Sequence, residues 1–185
     1  MDVGPLAETL AAMRAQNRSV LVAIDGFGGS GKSTLARELA SAIPGSGIIS
    51  FDDFIVKEHV LDDSWEQTWD RARLRDEVLE PLRDGRPAAF RRLDWVSNTL
   101  SAPIPMPPLD LLIVEGITTL HPELRAFWDY AIWVDAPVDV ARERGRARDA
   151  DTENAQHWDR WSRNDVRYLS DRSPDRAADV VFANG

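Results

Sequence analysis

Solid apolar runs alternate along the chain with segments whose apolar residues recur every three or four positions. The solid runs predict strands at residues 20–25, 47–54, 109–116, 130–137 and 178–182. The periodic segments predict helices at residues 5–16, 33–42, 64–85, 120–128, 138–149 and 152–171. The pattern therefore predicts an α/β protein in which strands and helices alternate.

The strands are apolar along their whole length, which is typical of a parallel sheet covered by helices on both faces. We therefore expect a three-layer α/β/α fold with a mostly parallel sheet. In such folds ligands bind beyond the carboxyl ends of the strands. Acidic residues stand at four of those predicted ends, namely Asp25, Asp52, Glu115 and Asp135. The pattern thus predicts one site at this edge.

Length, composition and charge limit the classes of protein to which this chain can belong. A chain of 185 residues fits a single domain, which we predict over residues 1–185. No apolar run reaches the roughly 18 residues of a membrane span, and the first twenty residues lack the order of a signal peptide. The absence of cysteine excludes disulfides and thiolate metal sites, and we expect a cytoplasmic protein. A net charge of −9 argues against general nucleic-acid binding.

The glycine-rich stretch GFGGSGKS at residues 26–33 matches the pattern G-x-x-x-x-G-K-[ST] in full. Glycines let successive backbone N–H groups wrap a phosphate chain, and the next helix aims its N-terminus at the same anion. Lys32 can neutralise the terminal phosphates, and the Ser33 hydroxyl can ligate Mg²⁺. A ligand-free glycine turn is the alternative, but the flanking strand and helix favour a nucleoside triphosphate. The predicted nucleotide-binding residues here are Gly26, Gly28, Gly29, Ser30, Gly31, Lys32, Ser33 and Thr34.

Acidic residues after the second and third strands are candidates for catalysis. In a kinase that acts on a hydroxyl group, a carboxylate such as Asp52 or Asp53 can accept the proton as phosphorus is attacked. The alternative is that both cap the following turn. Adjacent residues at a strand end point to opposite sides, so only one of them can reach the acceptor. Glu115 ends a buried strand, where a carboxylate is costly unless Mg²⁺ lies nearby, although a structural hydrogen bond is also open.

The segment ARERGRARD places four arginines in seven positions of a predicted helix. Residues four apart share a face, so Arg144 pairs with Arg148 and Arg142 with Arg146. One pair is expected to cover the transferring phosphate as part of a lid at about residues 140–157, unless the whole face is simply solvated. We interpret Trp158 and Trp161 as packing residues rather than a base-stacking platform.

Together these residues resemble the uridine kinase-like branch of the P-loop nucleoside/nucleotide kinases. The resemblance runs from about residue 20 to 185 and rests on IDGFGGSGKST, SFDDF, WDRARLRDEVLEPLRDG, RRLDWVSNTL, LLIVEG, ARERGRARD and ADVVFANG. It implies ATP and Mg²⁺ as cofactors, Asp52 as catalytic base and Glu115 near the metal. It also implies Arg144 or Arg148 in the lid, Asn184 beside the adenine, and an acceptor-binding hairpin at about residues 86–108.

Three positions depart from that family's pattern. Ile55 replaces a tyrosine after D-x-F, and Leu93 and Asn98 replace the tyrosine and histidine of the family's hairpin motif. The resemblance therefore implies the use of ATP more directly than uridine as the acceptor.

The sequence predicts an ATP-dependent small-molecule kinase that acts on a hydroxyl group, most closely a uridine kinase-like nucleoside kinase. The alternatives are a pantothenate-, sugar- or nucleotide-type P-loop kinase, and a regulatory module that binds nucleotide without phosphotransfer. The expected partner is a small-molecule acceptor, a nucleoside among the candidates, with no nucleic acid and no membrane. The oligomeric state stays open.

Overall fold

The computed structural model describes residues 3–13 and 17–185. The main sheet has five strands: β1 (Val20–Gly26), β2 (Ser46–Ser50), β7 (Leu111–Glu115), β8 (Tyr130–Asp135) and β9 (Val180–Ala183). All neighbouring strands run parallel, in the order β2-β7-β1-β8-β9, and β3 to β6 belong to an insertion described below. The predicted parallel sheet is thus confirmed.

The register of the sheet brings the carboxyl ends of its central strands to one edge. Glu115 of β7 lies opposite Ile24 of β1 and Ser50 of β2, and Asp25 lies opposite Trp133 of β8. The glycine stretch and the acidic residues that follow these strands therefore share that edge.

Helices cover both faces of the sheet. The α-helices are α1 (Gly4–Ala12), α2 (Lys32–Ala42), α3 (Arg71–Leu74), α4 (Glu80–Arg83), α5 (Pro122–Arg125), α6 (Val138–Arg148), α7 (Trp158–Arg172) and α8 (Pro174–Ala177). A π turn, Arg75–Leu79, joins α3 to α4. Residues 14–16 of the predicted first helix lie outside the described residues.

Alternate residues of the central strand point to two separate cores, as expected when helices cover both faces. Val22 and Ile24 pack with α1 and α2, for example against Leu35. Leu21 and Ala23 pack on the other face, in a core that includes residues of α3, the π turn and α4. These two cores make the three layers that the apolar pattern predicts.

Two predicted elements between β2 and α4 differ from the structure. The acidic segment after β2 is a 3-10 turn, Phe51–Phe54, rather than a continuation of the strand. The predicted helix at 64–85 begins only at Arg71, because Asp70 caps it by accepting the Arg73 N–H at 2.9 Å. The stretch before it contains a second 3-10 turn, Lys57–His59, and the buried Trp65.

A small insertion lies between α4 and β7. It consists of two antiparallel ladders, β3 (Ala89–Phe90) with β6 (Ile104–Pro105), and β4 (Leu93–Asp94) with β5 (Thr99–Leu100). A further 3-10 turn, Glu153–His157, joins α6 to α7, so the predicted helix at 152–171 is a turn followed by a helix. Within the described ranges, no helix has both the length and the apolarity needed to cross a membrane.

Candidate active site

The glycine-rich loop connects β1 to α2 and has the backbone that only glycine adopts easily. Gly29 and Gly31 have φ angles of +79° and +102°. A Cβ atom on Gly29 would also collide with the Ala141 carbonyl of α6, and one on Gly31 with the side-chain amide of Asn184. The loop is therefore held in one shape, with its N–H groups ahead of the α2 N-terminus.

Lys32, the first residue of α2, is buried at the base of this loop. Its Nζ donates hydrogen bonds to the carbonyls of Gly26 at 3.0 Å and Phe27 at 2.8 Å. Both contacts lie within the loop itself, so the ammonium group is fixed where it can face a bound phosphate.

Asp25 anchors the loop from beneath. Its carboxylate accepts the N–H groups of Gly26, Thr118 and Leu120 and the hydroxyl of Tyr168, at 2.7–3.0 Å. Burial raises the pKa of Asp25 to about 6, although these hydrogen bonds oppose the shift. With both carboxylate oxygens engaged and no exposed surface, Asp25 supports the loop.

The Ser33 hydroxyl and the Glu115 carboxylate meet above the end of the sheet. Ser33 Oγ donates to Glu115 Oε2 at 3.0 Å. A hydroxyl and one carboxylate are oxygen ligands of the kind Mg²⁺ takes when phosphates and water complete its shell. Among the described residues, here as elsewhere, no three Asp, Glu or His side chains form a metal-binding group, so phosphates and water would complete the shell. The donor set therefore fits Mg²⁺ at Ser33 and Glu115.

Asp52 and Asp53 leave the 3-10 turn in different directions. Asp52 lines the cavity next to the glycine loop, and its Oδ1 accepts a long hydrogen bond of 3.4 Å from Trp69 Nε1. Asp53 instead pairs with Arg92 Nε at 3.1 Å. The expected divergence is present, but it arises from the turn rather than from the alternation of a strand.

The four arginines of α6 divide into two pairs. Arg144 and Arg148 line the cavity. Arg142 and Arg146 reach away to Asp159 of α7, at 3.9 Å and 3.0 Å. Helical spacing predicts this division.

Arg148 lies against the ring of Trp158 and close enough to Asp52 and Glu115 to interact with their charges. Its guanidinium lies 5.4 Å from the ring centre of Trp158, and a hydrogen bond to Asp149 raises its pKa. The charges of Asp52 and Glu115 add to this rise. Arg144 Nη1 donates to the Asn184 carbonyl at 2.9 Å, which ties α6 to the last strand.

Asn184, which follows β9, contacts the glycine loop directly. Its side-chain amide donates to the Ser30 carbonyl at 2.7 Å, and its backbone N–H donates to the Asp135 carbonyl at 2.7 Å. The residue also lines the cavity. The structure therefore places it at the end of the cavity next to the glycine loop, with its amide already bound to the loop.

One cavity of about 750 Å³ joins these groups. The end next to the glycine loop is formed by that loop, α2, the end of β7, α6 and Asn184, and four cationic side chains line it: Lys32, Arg37, Arg144 and Arg148. Its other end is formed by residues of the 52–95 segment and α7. The cavity is thus cationic at one end and largely aromatic at the other.

Sequence reasoning missed most of the second end. The residues that line it without having been singled out as ligand-facing are Val60, Trp65, Thr68, Trp69, Trp95, Trp158, Trp161, Asn164 and Asp165. Trp158 and Trp161 do pack, edge to face at 5.5 Å, but they also form part of the wall. The helical spacing of 158, 161 and 165 was the available signal, since it places these residues on one face of α7.

Of the three departures, only Ile55 lines the cavity. Leu93 pairs with Leu100 across β4 and β5, and the Asn98 amide donates to Glu58 at 2.7 Å. The neighbouring Trp95 is the hairpin residue that reaches the cavity wall.

The chain is similar in sequence to known proteins. A family model described as an AAA domain matches residues 22–167. Curated uridine kinases of Staphylococcus aureus strains JH9 and Newman are 29% identical over 152 residues, which covers 71% of this chain and 73% of theirs.

Solved structures share the fold over almost the whole chain. A possible uridine kinase from Bacillus stearothermophilus is 23% identical, with a TM-score of 0.75 over 97% of this chain and 96% of that one. A protein from Silicibacter sp. TM1040 that is named for a fructose transport system kinase is 22% identical, with a TM-score of 0.77 over 98% of this chain and 99% of that one. These likenesses show a shared fold, which together with the AAA domain match is that of the P-loop NTPases.

Proposed function

Since the chain belongs to the AAA domain family, in the uridine kinase-like branch of P-loop kinases, we propose that it is an ATP- and Mg²⁺-dependent kinase that phosphorylates a hydroxyl group of a small metabolite, in the first place a nucleoside. One observation carries the proposal: Lys32, Ser33, Glu115 and Asp52 line a single cavity. A protein that only binds nucleotide has no need of a carboxylate at the acceptor side of the phosphates.

The glycine loop and Lys32 hold the triphosphate in this proposal. The loop offers backbone N–H groups, and the buried ammonium of Lys32 supplies a fixed positive charge. Asn184 and the end of β9 border the nucleoside part of ATP. We take residues 1–185 as one kinase domain, with its lid at 140–157 and its acceptor hairpin at 86–108.

Ser33 and Glu115 are the residues that would hold Mg²⁺, Ser33 directly and Glu115 directly or through water. When bound, the ion neutralises charge on the phosphates as phosphoryl transfer proceeds.

Asp52 acts as the general base. The acceptor hydroxyl attacks the γ-phosphorus of ATP, its proton passes to the Asp52 carboxylate, and the bond from the γ-phosphorus to the β,γ-bridging oxygen breaks to release ADP. Arg144 and Arg148 stabilise the charge on the transferring phosphoryl group, because they are the α6 arginines that face the cavity.

The nucleoside acceptor follows from the uridine kinases among the relatives. The name of the Silicibacter protein keeps a sugar as a second acceptor to test. A cytoplasmic location remains a prediction from composition.

A coupled assay of ADP release tests the proposal, with uridine, cytidine and fructose as acceptors and with acceptor-free controls. We expect acceptor-dependent ADP release that requires Mg²⁺ and a phosphorylated product detectable by mass spectrometry. ATP binding without acceptor-dependent release would favour the regulatory module instead.

A further inference from the structure

Helix α7 presents two neighbouring polar residues, Asn164 and Asp165, to the aromatic end of the cavity. They are only 7% and 4% exposed. None of the roles proposed for the phosphate loop, the metal or the base uses Asn164 Oδ1 or Asp165 Oδ1.

Asn164 has an oxygen without a partner. Its Nδ2 donates to the Asp62 carbonyl at 3.0 Å, which fixes the orientation of the amide. Its Oδ1 is buried and, among the described residues, accepts no hydrogen bond. A buried oxygen in this state calls for a donor from a molecule in the cavity.

Asp165 is held from one side only. Its Oδ2 accepts the Gly28 N–H of the glycine loop at 2.8 Å, and across the described ranges we find no donor to Oδ1. Burial raises the pKa of Asp165 to about 6, which leaves the carboxyl group largely ionised at pH 7.5. One oxygen is thus tied to the phosphate loop, and the other can accept.

The surrounding wall offers mostly apolar faces, and the nearest cations, Lys32 and Arg148, border it from the side of the glycine loop. The indole N–H groups of Trp65, Trp158 and Trp161 are already bound to Asp171, Asp149 and the Val60 carbonyl. The cavity-lining residues of the 52–95 segment and of α7 include no lysine or arginine, whereas Asp52 adds a further carboxylate. The nearby Lys57 is engaged with the Trp95 carbonyl.

We propose that Asn164 and Asp165 are specificity-determining residues that together accept hydrogen bonds from a second donor group of the phosphoryl acceptor. The acceptor is then an uncharged polyhydroxy compound, with one hydroxyl facing Asp52 and another donor held by α7. This inference rests on the proposed function and deepens it.

The same geometry excludes an anionic group at this subsite. A carboxylate or phosphate held by Asn164 and Asp165 would face an amide oxygen and a carboxylate, neither of which can donate a hydrogen bond to it. Acceptors whose second polar group is a carboxylate or a phosphate are therefore excluded as substrates. A site built from oxygens that accept hydrogen bonds also discriminates strongly against an analogue that lacks the donor.

Direct binding to the full-length protein tests the acceptor class. Quenching of tryptophan fluorescence is measured for uridine, 2′,3′-dideoxyuridine, uridine 3′-monophosphate, fructose, glucose and gluconate. We expect at least one uncharged polyhydroxy probe to bind. If uridine is that probe, the dideoxy analogue should bind at least tenfold more weakly than uridine. Each anion should bind at least 100-fold more weakly than its uncharged parent.

Variants test the two residues themselves. Asp165→Asn can still accept the Gly28 N–H but replaces the outward oxygen with an N–H₂ group, and Asn164→Leu removes the unpartnered oxygen. Each should raise the Kd and KM of the parent acceptor at least tenfold, while the KM for ATP and the Kd of an analogue without the second donor change less than twofold. Asp159→Asn, which removes the same charge from the exposed face of α7, is the matched control and should change neither.

Several results would overturn the inference. One is that an anion binds more tightly than its uncharged parent. Another is that the variants weaken binding of the parent and of the analogue without the second donor equally. A third is that no uncharged polyhydroxy probe binds at 20 mM. If the variants do not fold, the wild-type comparison of parent and analogue decides alone. Failure of MgATP to bind would instead refute the proposed function, and it is measured separately.

Discussion

Replacing Asp52 with asparagine should nearly abolish turnover while leaving ATP binding unchanged. The side chain lines the cavity, and the hydrogen bond that it accepts from Trp69 Nε1 is long at 3.4 Å. Asparagine keeps the shape and that contact but cannot accept a proton. General-base catalysis is typically worth about 10²–10⁴ in rate, or about 2.7–5.4 kcal/mol of the barrier, so kcat should fall by that factor.

The neighbouring substitution Asp53→Asn is the control, because it removes the same charge one residue away. Asp53 pairs with Arg92, and the arginine side chain is 56% exposed, so the ion pair contributes at most about 1 kcal/mol. Burial raises the pKa of Asp53 even with Arg92 beside it, so a neutral residue there costs little. We expect kcat within about fivefold of the wild type.

The assay is ADP release at saturating MgATP with whichever acceptor is turned over, together with the thermal midpoint of unfolding for each variant. The reasoning is refuted if Asp53→Asn is the inactive variant and Asp52→Asn the active one. Near-normal turnover in both would show that no carboxylate of this turn is the base.

Three further outcomes follow from the contacts. Arg148→Ala should lower kcat more than it raises the KM for ATP, whereas Arg146→Ala, which removes an arginine turned towards Asp159, should leave both constants unchanged. Equal effects of the two variants in steady-state kinetics would contradict the division of the α6 arginines into cavity-facing and Asp159-facing pairs. Tyr168→Phe removes a donor from the buried carboxylate of Asp25 and should cost about 1–3 kcal/mol of stability in urea unfolding, and a loss below 0.5 kcal/mol would count against the anchoring role. Burial raises the pKa of Asp165 from 3.8 to about 6, so protonation of this group stabilises the folded state fully below pH 4, and this contribution is lost as the pH rises through 6. Asp165→Asn should therefore gain stability relative to the wild type between pH 4 and 7, by up to about 3 kcal/mol. A stability difference between variant and wild type that does not change with pH would contradict the raised pKa.

The sheet and the phosphate end of the site could be predicted from the sequence because their signals are local. A strand that is buried on both faces needs an unbroken apolar run, as in β7, and a phosphate loop needs its glycines and Lys32 in consecutive positions. The division of the α6 arginines follows from helical spacing alone. Each of these features depends on residues close together in the chain.

The acceptor end could not be predicted in the same way, because its residues meet only through the fold. Asp165 lies 137 residues from Gly28, whose N–H it accepts. Trp65 packs against Tyr168 at a ring distance of 5.0 Å, and neither spacing nor composition indicates that contact. The 3-10 turn after β2 was also missed, because its apolar ends, Phe51 and Phe54, extend the apolar run of the strand.

The rate of acceptor-dependent ADP formation by the wild type and by Lys32→Ala tests the central claim most directly. Lys32 supplies the buried positive charge at the phosphate loop, and loss of one such electrostatic group typically costs about 10²–10³ in kcat. The account predicts acceptor-dependent turnover in the wild type and a fall of at least 100-fold in a variant that still folds. Near-normal turnover by Lys32→Ala would contradict the account, as would a wild type that binds ATP but phosphorylates no acceptor.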